Sequence, residues 1–163
     1  MRCFTFILLI VLSAFFVANL NAQEEPEWIQ LQPSGDLPIE RYHPAAVWDA
    51  ADNQMIVFGG RNYSMHELFN DIWLLNMNDI YWSQISTGGD TIPSRYKHTA
   101  VWDPEGRKMI VFGGSTVNTE YDNDLWVLDM ATNVWTEIMP NGELPPGRNS
   151  HSAAWDGNHN RLI

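Results

Sequence analysis

The feature that most constrains this chain is a unit of sequence that occurs twice in full and then begins a third time. In each copy a tryptophan stands 13 residues before an arginine, and that arginine stands 7 residues before a Trp-Asp pair. In the two full copies a Gly-Gly pair starts 11 residues after the tryptophan of that pair. This spacing, with a period of 53 to 54 residues, predicts a repeat architecture in which each unit buries its core only against its neighbours.

The second copy indicates what one unit forms. Residues 109–112 are a continuous apolar run of strand length that ends at a Gly-Gly pair, and residues 134–138 alternate apolar and polar as an outer strand does. With a first strand before Trp102 and a third over 124–129, each unit is predicted to be a four-stranded antiparallel meander. A twisted sheet with two apolar faces is buried when sheets pack face to face around an axis, so the sequence predicts an all-β, propeller-like fold. We expect no helix, because no sustained 3.6-residue period follows residue 22.

The tryptophans and glycines that mark the repeat are expected to be structural. Each indole removes a large apolar area from water when it is buried between neighbouring sheets, and each Gly-Gly pair suits a backbone with positive φ. The residues are Trp28, Trp48, Gly59, Gly60, Trp73, Trp82, Trp102, Gly113, Gly114, Trp126, Trp135 and Trp155.

Several of these elements together resemble kelch repeats. They are an Arg-x-x-His-x-Ala pattern (Arg95, His98, Ala100), the apolar run into Gly-Gly, the spaced tryptophan, and an Asn-Asp-x-Trp element at 70–73 and 123–126. The resemblance extends from residue 28 to 163 and implies a kelch-type β-propeller with two full blades, an N-terminal outer strand and the start of a third blade. The first copy departs from the pattern, since Pro44 stands where the second has its histidine.

The resemblance also implies domain boundaries. Residues 23–163 are expected to be a partial propeller with units at about 41–86, 95–139 and, incomplete, 148–163. Residues 28–31 align with the fourth strand of a unit, and in kelch-like rings such a strand often completes the last blade. Because the chain stops where a Val-Phe-Gly-Gly stretch is expected, we interpret it as part of a longer product whose downstream blades are missing partners. Its open sheet edges predict aggregation when it is expressed alone.

The first 22 residues have the order of a secretory signal peptide. Arg2 supplies a short positive start, residues 4–17 are almost entirely apolar, and residues 18–22 become smaller and more polar. The apolar part is short for a membrane span, which needs about 20 residues, although an uncleaved anchor stays an alternative. The sequence therefore predicts cleavage after Ala22 and export to the periplasm, the cell surface or the medium. The only cysteine, Cys3, lies in this segment.

Charge excludes one class of partner. The chain has 20 acidic and 9 basic residues, and its formal net charge is −11. A surface of this sign repels phosphate backbones, so we expect no nucleic-acid partner.

Candidate binding residues lie in the loop after each Gly-Gly pair, which differs most between the copies. Variable loops on a fixed scaffold usually carry recognition, and these loops offer Arg61, Asn62, Tyr63, His66, Asn118 and Tyr121. The recurring arginines Arg41 and Arg95 are a further possibility, since they could bind an anionic ligand. Their recurrence favours a bridge between blades, with Asp71 or Asp124 as the partner.

Catalytic and metal-binding patterns are not visible in the sequence. No nucleophile, base and orienting group stand together, and the histidines lack metal-ligand spacing. Asp49 and Asp103 follow tryptophans at turns, where we expect them to cap the turn and not to hold calcium. Two positions carry ionisable residues that change between copies: Glu40 against Ser94 and Gly147, and Lys97 against His43 and Ser150. We therefore predict no catalytic residue, cofactor or metal.

The sequence is best explained by an exported binding scaffold whose ligand is a protein or a glycan. Two alternatives stay open, a structural cell-surface spacer and a propeller enzyme that acts on sugars, of the mutarotase or epimerase kind. The resemblance does not extend to copper oxidases with a tyrosine–cysteine crosslink, because the mature chain has no cysteine.

Overall fold

The computed structural model describes residues 28–163, and these residues form strands and turns without a helix. The predicted signal peptide at 1–22 lies outside the described residues. The chain divides into two units, residues 1–31 and residues 32–163, and all the strands belong to the second. In chain order the strands are β1 (Ser34–Gly35), β2 (Ala45–Asp49), β3 (Gln54–Asn62), β4 (Glu67–Asn76), β5 (Tyr81–Ile85), β6 (Gly88–Gly89), β7 (Arg95–Tyr96), β8 (Thr99–Asp103), β9 (Lys108–Thr116), β10 (Asp122–Asp129), β11 (Val134–Ile138), β12 (Trp155–Asp156) and β13 (Arg161–Leu162).

Two four-stranded antiparallel sheets confirm the predicted blades. Blade 1 consists of β2, β3, β4 and β5, and blade 2 of β8, β9, β10 and β11, each in meander order. A third sheet begins with the antiparallel pair β12 and β13. The first strands of successive blades lie against each other, β2 against β8 and β8 against β12. They are therefore the innermost strands, and the blades open outward from them.

The connection between blades has a feature that the sequence pattern did not indicate. Before it turns inward, each linker forms a short parallel pairing with the outer strand of the blade it enters, β1 with β5 and β6 with β11. In blade 2 the Asp90 carboxylate also accepts a hydrogen bond from the backbone N–H of Glu137. The linkers thus cover part of an outer edge that would otherwise present unpaired backbone groups.

The main core lies between blades 1 and 2. Ile56, Phe58 and Ile72 of blade 1 pack against Val111 and Trp135 of blade 2, and all five are buried. The Trp135 and Phe58 rings are 5.1 Å apart between centroids. At about 25 cal/mol per Å² of apolar area buried, each such aromatic contributes several kcal/mol to the contact between blades.

In blade 2, Trp126 and Trp135 belong to this core, and the partly buried Trp102 packs against it, as a packing role for these tryptophans requires. Trp48 is 47% exposed, although its blade 2 equivalent Trp102 is partly buried, and its packing against a preceding blade stays a prediction. The reason is directional. Trp102 faces the preceding blade, and no described blade precedes the one that carries Trp48.

The segment 28–31 forms no strand in the structure, and Trp28 is exposed. Its place in a closing blade stays a prediction.

The Gly-Gly pairs have the predicted backbone. Gly59 and Gly60 have φ of 65° and 104°, and Gly113 and Gly114 have φ of 61° and 100°. A Cβ atom at Gly59 would lie 2.7 Å from the Arg95 carbonyl oxygen of the next blade. Glycine is therefore required here both by conformation and by the approach of the neighbouring blade.

No helix among residues 28–163 is long and apolar enough to cross a membrane.

Candidate functional site

The structure brings the variable loops and the linkers to the same ends of the blades. In blade 1 the backbones of Tyr42 and Arg61 exchange two hydrogen bonds of 3.0 Å, and in blade 2 β7 pairs with the end of β9. The chain that leads into each first strand is thus paired with the chain that leaves each second strand. We call this side the loop face, and the opposite side, with the turns at 50–53 and 104–107, the turn face.

An aromatic and basic cluster lies on the loop face beside the innermost strands. We call it the mouth cluster, and it consists of Tyr42, His43, Arg61, Tyr63, Tyr96 and Lys97. The Tyr42 and Tyr63 rings are stacked, with centroids 3.9 Å apart and planes 8° from parallel. Tyr96 meets Tyr42 edge to face at 6.4 Å, so the cluster spans both blades. The arrangement forms an aromatic platform that is fixed from two sides.

Both cations of the cluster lie over aromatic rings. The Arg61 guanidinium carbon is 5.0 Å from the Tyr63 centroid and 5.5 Å from the Tyr96 centroid, and Lys97 Nζ is 5.2 Å from the Tyr96 centroid. Such contacts stabilise a cation by electrostatic attraction to the ring face. Burial raises the pKa of the Tyr42 hydroxyl above its ordinary value, which is already too high for this phenol to ionise at physiological pH.

Within residues 28–163, Arg61 and Lys97 have no carboxylate partner, unlike most of the other basic residues. Arg107 bridges the blades on the turn face, where its guanidinium contacts Asp49 at 3.0 Å and also contacts Asp52. In a chain with a net charge of −11, two unpaired cations on an aromatic platform are a local exception. The loop face can therefore hold an anionic group in addition to apolar ones.

Arg41 and Arg95 do not belong to this site, which corrects their prediction as ligand-binding residues. Arg95 is fully buried, donates two hydrogen bonds to the Asp124 carboxylate at 2.7 and 2.6 Å, and donates another to the Gly113 carbonyl. Arg41 makes the equivalent bonds to Asp71 and to the Gly59 carbonyl. The expected acids are correct, but each bridge joins strands of one blade and does not join two blades.

The structure places some of the other predicted binding residues in the mouth cluster and others outside it. Asn62 is buried and shapes its loop, since its side chain donates to the Glu40 carbonyl at 2.8 Å and accepts from the Met65 backbone N–H at 2.9 Å. His66 is exposed in a left-handed conformation within the same loop. The remaining two, Asn118 and Tyr121, are exposed on the equivalent loop of blade 2. Arg61 and Tyr63 are thus the predicted residues that enter the mouth cluster.

The repeat histidine has a packing role, which explains why one copy lacks it. His98 packs edge to face on Phe58 of the preceding blade at 5.1 Å, and His151 packs on Phe112 at 5.5 Å. Burial, with a smaller contribution from the Arg95 charge, lowers the pKa of His98 to about 3. Pro44 stands at this position in blade 1, before which no blade is described.

A groove of about 660 Å³ among the described residues is a packing surface and not the candidate site. It lies between blade 2 and β12–β13, and its apolar lining includes Ile110, Phe112 and Leu125. In blade 1 the equivalent residues Ile56, Phe58 and Ile72 are covered by blade 2. Within residues 28–163, no three His, Cys, Asp or Glu side chains are placed to hold a metal ion.

The sequence interpretation missed Tyr42 and Tyr96 and gave Lys97 and His43 only as positions that differ between copies. A signal for the tyrosines was present, since both full copies place a tyrosine directly after the repeat arginine and the third has Asn149. The sequence of one copy does not show that its tyrosine lies close to the tyrosine and lysine of the next blade.

The fold and the repeated bridges define a kelch-type β-propeller, here with two complete four-stranded blades. The chain belongs to the family described as the KLHDC2/KLHL20/DRC7 Kelch-repeats domain, which matches residues 11–163. Among solved structures, one titled "Structure of YjhT" is similar with a TM-score of 0.51 and 16% identity, over 60% of this chain and 37% of that one. This likeness supports the fold.

Relatives of known sequence share the kelch segment. Human Kelch domain-containing protein 10 is 34% identical over 134 residues, which are 80% of this chain and 29% of the relative. Dynein regulatory complex subunit 7 of Chlamydomonas reinhardtii is 29% identical over 106 residues, 64% of this chain and 9% of the relative. Rho GTPase-activating protein gacHH of Dictyostelium discoideum is 32% identical over 121 residues, which are 70% of this chain and 8% of the relative. The chain spans less than a third of each relative's length.

Proposed function

We propose that this chain binds a segment of a partner protein across its loop face, with the mouth cluster as the central contact. The observation that carries the proposal is the stacked pair of Tyr42 and Tyr63, which holds a 61% exposed tyrosine in a fixed orientation beside an unpaired arginine. Tyrosine and arginine are enriched at the centres of protein interfaces because they bury a large area at a low cost in conformational entropy.

Exposed apolar side chains on the same face support a protein partner. Met65 of the blade 1 loop is 56% exposed, and Val117 and Tyr121 of the blade 2 loop are 75% and 56% exposed. Apolar groups left in water on one face gain free energy when a partner covers them. Kelch-repeat propellers are typically protein-binding scaffolds, which agrees with this use of the face.

The partners of the relatives are not carried over to this chain. The relatives named for a dynein regulatory complex and for a Rho GTPase-activating activity share with it only 9% and 8% of their length. The loops that differ between blades 1 and 2 would set the identity of the partner here.

The proposed scaffold acts outside the cytoplasm. This part of the proposal depends on the signal-peptide pattern at 1–22, and N-terminal sequencing of the protein from its native source tests it. A mature start at Gln23 would support export, and retention of Met1 to Ala22 on a cytoplasmic protein would exclude it.

A glycan is the second candidate ligand, because the 61% exposed Tyr63 side chain offers aromatic area for contact with the apolar face of a sugar. A glycan array with the full-length protein separates the two candidates. Saturable binding of a defined glycan that is lost in Tyr63→Ala would favour the glycan over the protein segment. No described feature favours the sugar-converting enzyme or the spacer over these two.

Site-specific photocrosslinking tests the protein-binding proposal. The full-length protein would carry benzoylphenylalanine at position 63 on the loop face or, as a control, at position 131, which is exposed in the turn between β10 and β11 on the turn face. We expect a discrete crosslinked protein from position 63 and none from position 131. Absence of a crosslink at 63, or the same crosslinks from both positions, would contradict the proposal.

A further inference from the structure

Three equivalent residues form a backbone ladder that runs from blade to blade on the loop face. Lys97 donates its backbone N–H to the His43 carbonyl at 3.1 Å, and Ser150 donates its backbone N–H to the Lys97 carbonyl at 2.8 Å. His43 and Lys97 each stand two residues before the first strand of their blade, Ser150 is the equivalent residue in the segment that leads to β12, and the first strands are the innermost. The ladder is therefore the contact between units that lies nearest to the centre of the loop face.

All three residues have a left-handed backbone, with φ of 53° at His43, 58° at Lys97 and 53° at Ser150. This conformation is unfavourable for residues with a side chain, and it persists where the surrounding structure imposes it, often at functional sites. None of the three is glycine, so each unit retains a side chain at a position where glycine would be less strained.

The side chains of the ladder differ in charge, whereas its backbone is constant. Position 43 is a histidine, position 97 a lysine and position 150 a serine, and none of the three is buried. Lys97 extends over the Tyr96 ring, at 5.2 Å, and has no carboxylate partner among the described residues. A side chain that differs between units on a backbone that stays constant fits a recognition position on a fixed scaffold, and here that position lies on the loop face beside the mouth cluster.

We propose that the ladder is the specificity-determining ring of the loop face, and that Lys97 makes it select a carboxylate side chain of the bound segment. This inference rests on the proposed binding of a protein segment and goes further, because it assigns the selection of charge to one residue per blade. In this arrangement the loops supply most of the buried contact area, and the ladder side chains select the charge of the bound segment.

The chain offers a matched control for Lys97. Lys108 is also a lysine without a salt bridge among residues 28–163, but it lies on the turn face, where β9 begins. The other end of β9, at Thr116, pairs with Arg95 and lies on the loop face. Across the sheet Lys108 is opposite Asp103 and Asp129, so acidic residues flank it on both sides. Replacing Lys97 or Lys108 changes the net charge equally, and only the first change affects the ladder.

A random peptide library displayed on phage, selected on the full-length protein, tests the inference. The variants are Lys97→Asn and Lys97→Asp, whose new residues tolerate a left-handed backbone, and Lys108→Gln and Lys108→Glu as controls. We expect the wild type and both Lys108 variants to enrich peptides with Asp or Glu, Lys97→Asn to lose this enrichment, and Lys97→Asp to enrich Lys or Arg. A peptide from the wild-type selection should bind Lys97→Asn about tenfold more weakly, and its affinity for the wild type should fall with salt.

Each outcome of the selection decides one statement. Enrichment of acidic peptides that persists unchanged in Lys97→Asn and Lys97→Asp, with both variants folded by circular dichroism, would show that Lys97 does not select the carboxylate. The protein-binding proposal would remain intact. An equal loss of acidic enrichment in the Lys97 and Lys108 variants would also contradict selection by Lys97, because the change in net charge alone would then explain the loss. If the folded wild type enriches no peptide, the proposed function fails and the inference fails with it.

Discussion

At the scale of single residues, one bonded group recurs in both complete blades. Asp124 accepts two hydrogen bonds from Arg95 and a third from the Trp126 indole N–H at 2.5 Å, and Asp71 accepts the same three from Arg41 and Trp73. The carboxylate thus satisfies a buried guanidinium and a buried indole together. Because such a group is costly to leave half-paired, it ties the linker to the third strand of its own blade.

Removal of the carboxylate should destabilise the protein strongly. Asp124→Ala leaves the buried Arg95 charge unpaired, and we expect a loss of about 3–5 kcal/mol in the free energy of unfolding. Urea denaturation of the full-length protein measures this loss. The control is Arg161→Ala, which removes an exposed pair with Asp156 and should cost less than about 1 kcal/mol. Equal effects of the two substitutions would show that the Asp124 group is not a structural bridge.

His98 should make stability depend on pH. Its pKa is about 3 in the folded protein and about 6.5 in the unfolded chain, so the unfolded state binds more protons between these values. The free energy of unfolding therefore holds its full value above about pH 6.5 and falls as the pH is lowered toward 3, by up to about 1.4 kcal/mol per pH unit. The nearby charges of Arg95 and His151 act in the same direction as burial, and that of Asp124 acts against it.

Urea melts at several pH values check this dependence. In His98→Gln the side chain cannot titrate, so the slope of unfolding free energy against pH between 6 and 4 should be shallower than in the wild type. Carboxylates contribute equally to both proteins and cancel in the comparison. Identical slopes would contradict a buried, neutral His98.

At the scale of elements, most strands could be predicted from the sequence and their connections could not. The expected strands at 109–112, 124–129 and 134–138 correspond to β9, β10 and β11, because apolar runs and turn residues report local structure directly. The observed β9 continues through its Gly-Gly pair to Thr116. The parallel pairing of β6 with β11 was not predicted, since two glycines carry no side-chain pattern that identifies a partner strand.

The same limit applies to the candidate site. Arg61 and Tyr63 were predicted because their loop changes between copies, a signal that lies within one stretch of sequence. The mouth cluster also depends on Tyr96 and Lys97 of the next blade, and their proximity follows from how the two sheets pack. Sequence periodicity fixes the existence of the blades but not which side chains meet across them.

The glycine of the second strand gives a test at this scale. Gly59→Ala adds a Cβ in a left-handed backbone 2.7 Å from the Arg95 carbonyl, so it should lower the free energy of unfolding by about 1–3 kcal/mol or more. Gly88→Ala is the control, because a Cβ there meets no atom within 4 Å. Thermal melts of both variants measure the difference. A neutral Gly59→Ala would contradict the close approach of the blades at this point.

At the scale of the whole molecule, the blades are held together from the loop face to the turn face. The ladder through Lys97 joins them on the loop face, the contacts of His98 and Trp135 with Phe58 lie between them, and Arg107 bridges them on the turn face. The apolar part of this interface dominates, since the exposed guanidinium of Arg107 is screened by water. The repeat is therefore stable as a stack and not as separate sheets.

The Trp135 indole of blade 2 packs on Phe58 of the blade before it, and this contact holds the two blades together. A double-mutant cycle of Phe58→Ala and Trp135→Ala in the full-length protein tests this most directly, with Phe58→Ala and Trp48→Ala as the control pair. We predict that Trp135→Ala alone costs about 3–5 kcal/mol and that the Phe58–Trp135 pair is coupled by at least about 0.5 kcal/mol, whereas the control pair is additive. Additive effects of Phe58→Ala and Trp135→Ala would contradict the packing of successive blades through their tryptophans.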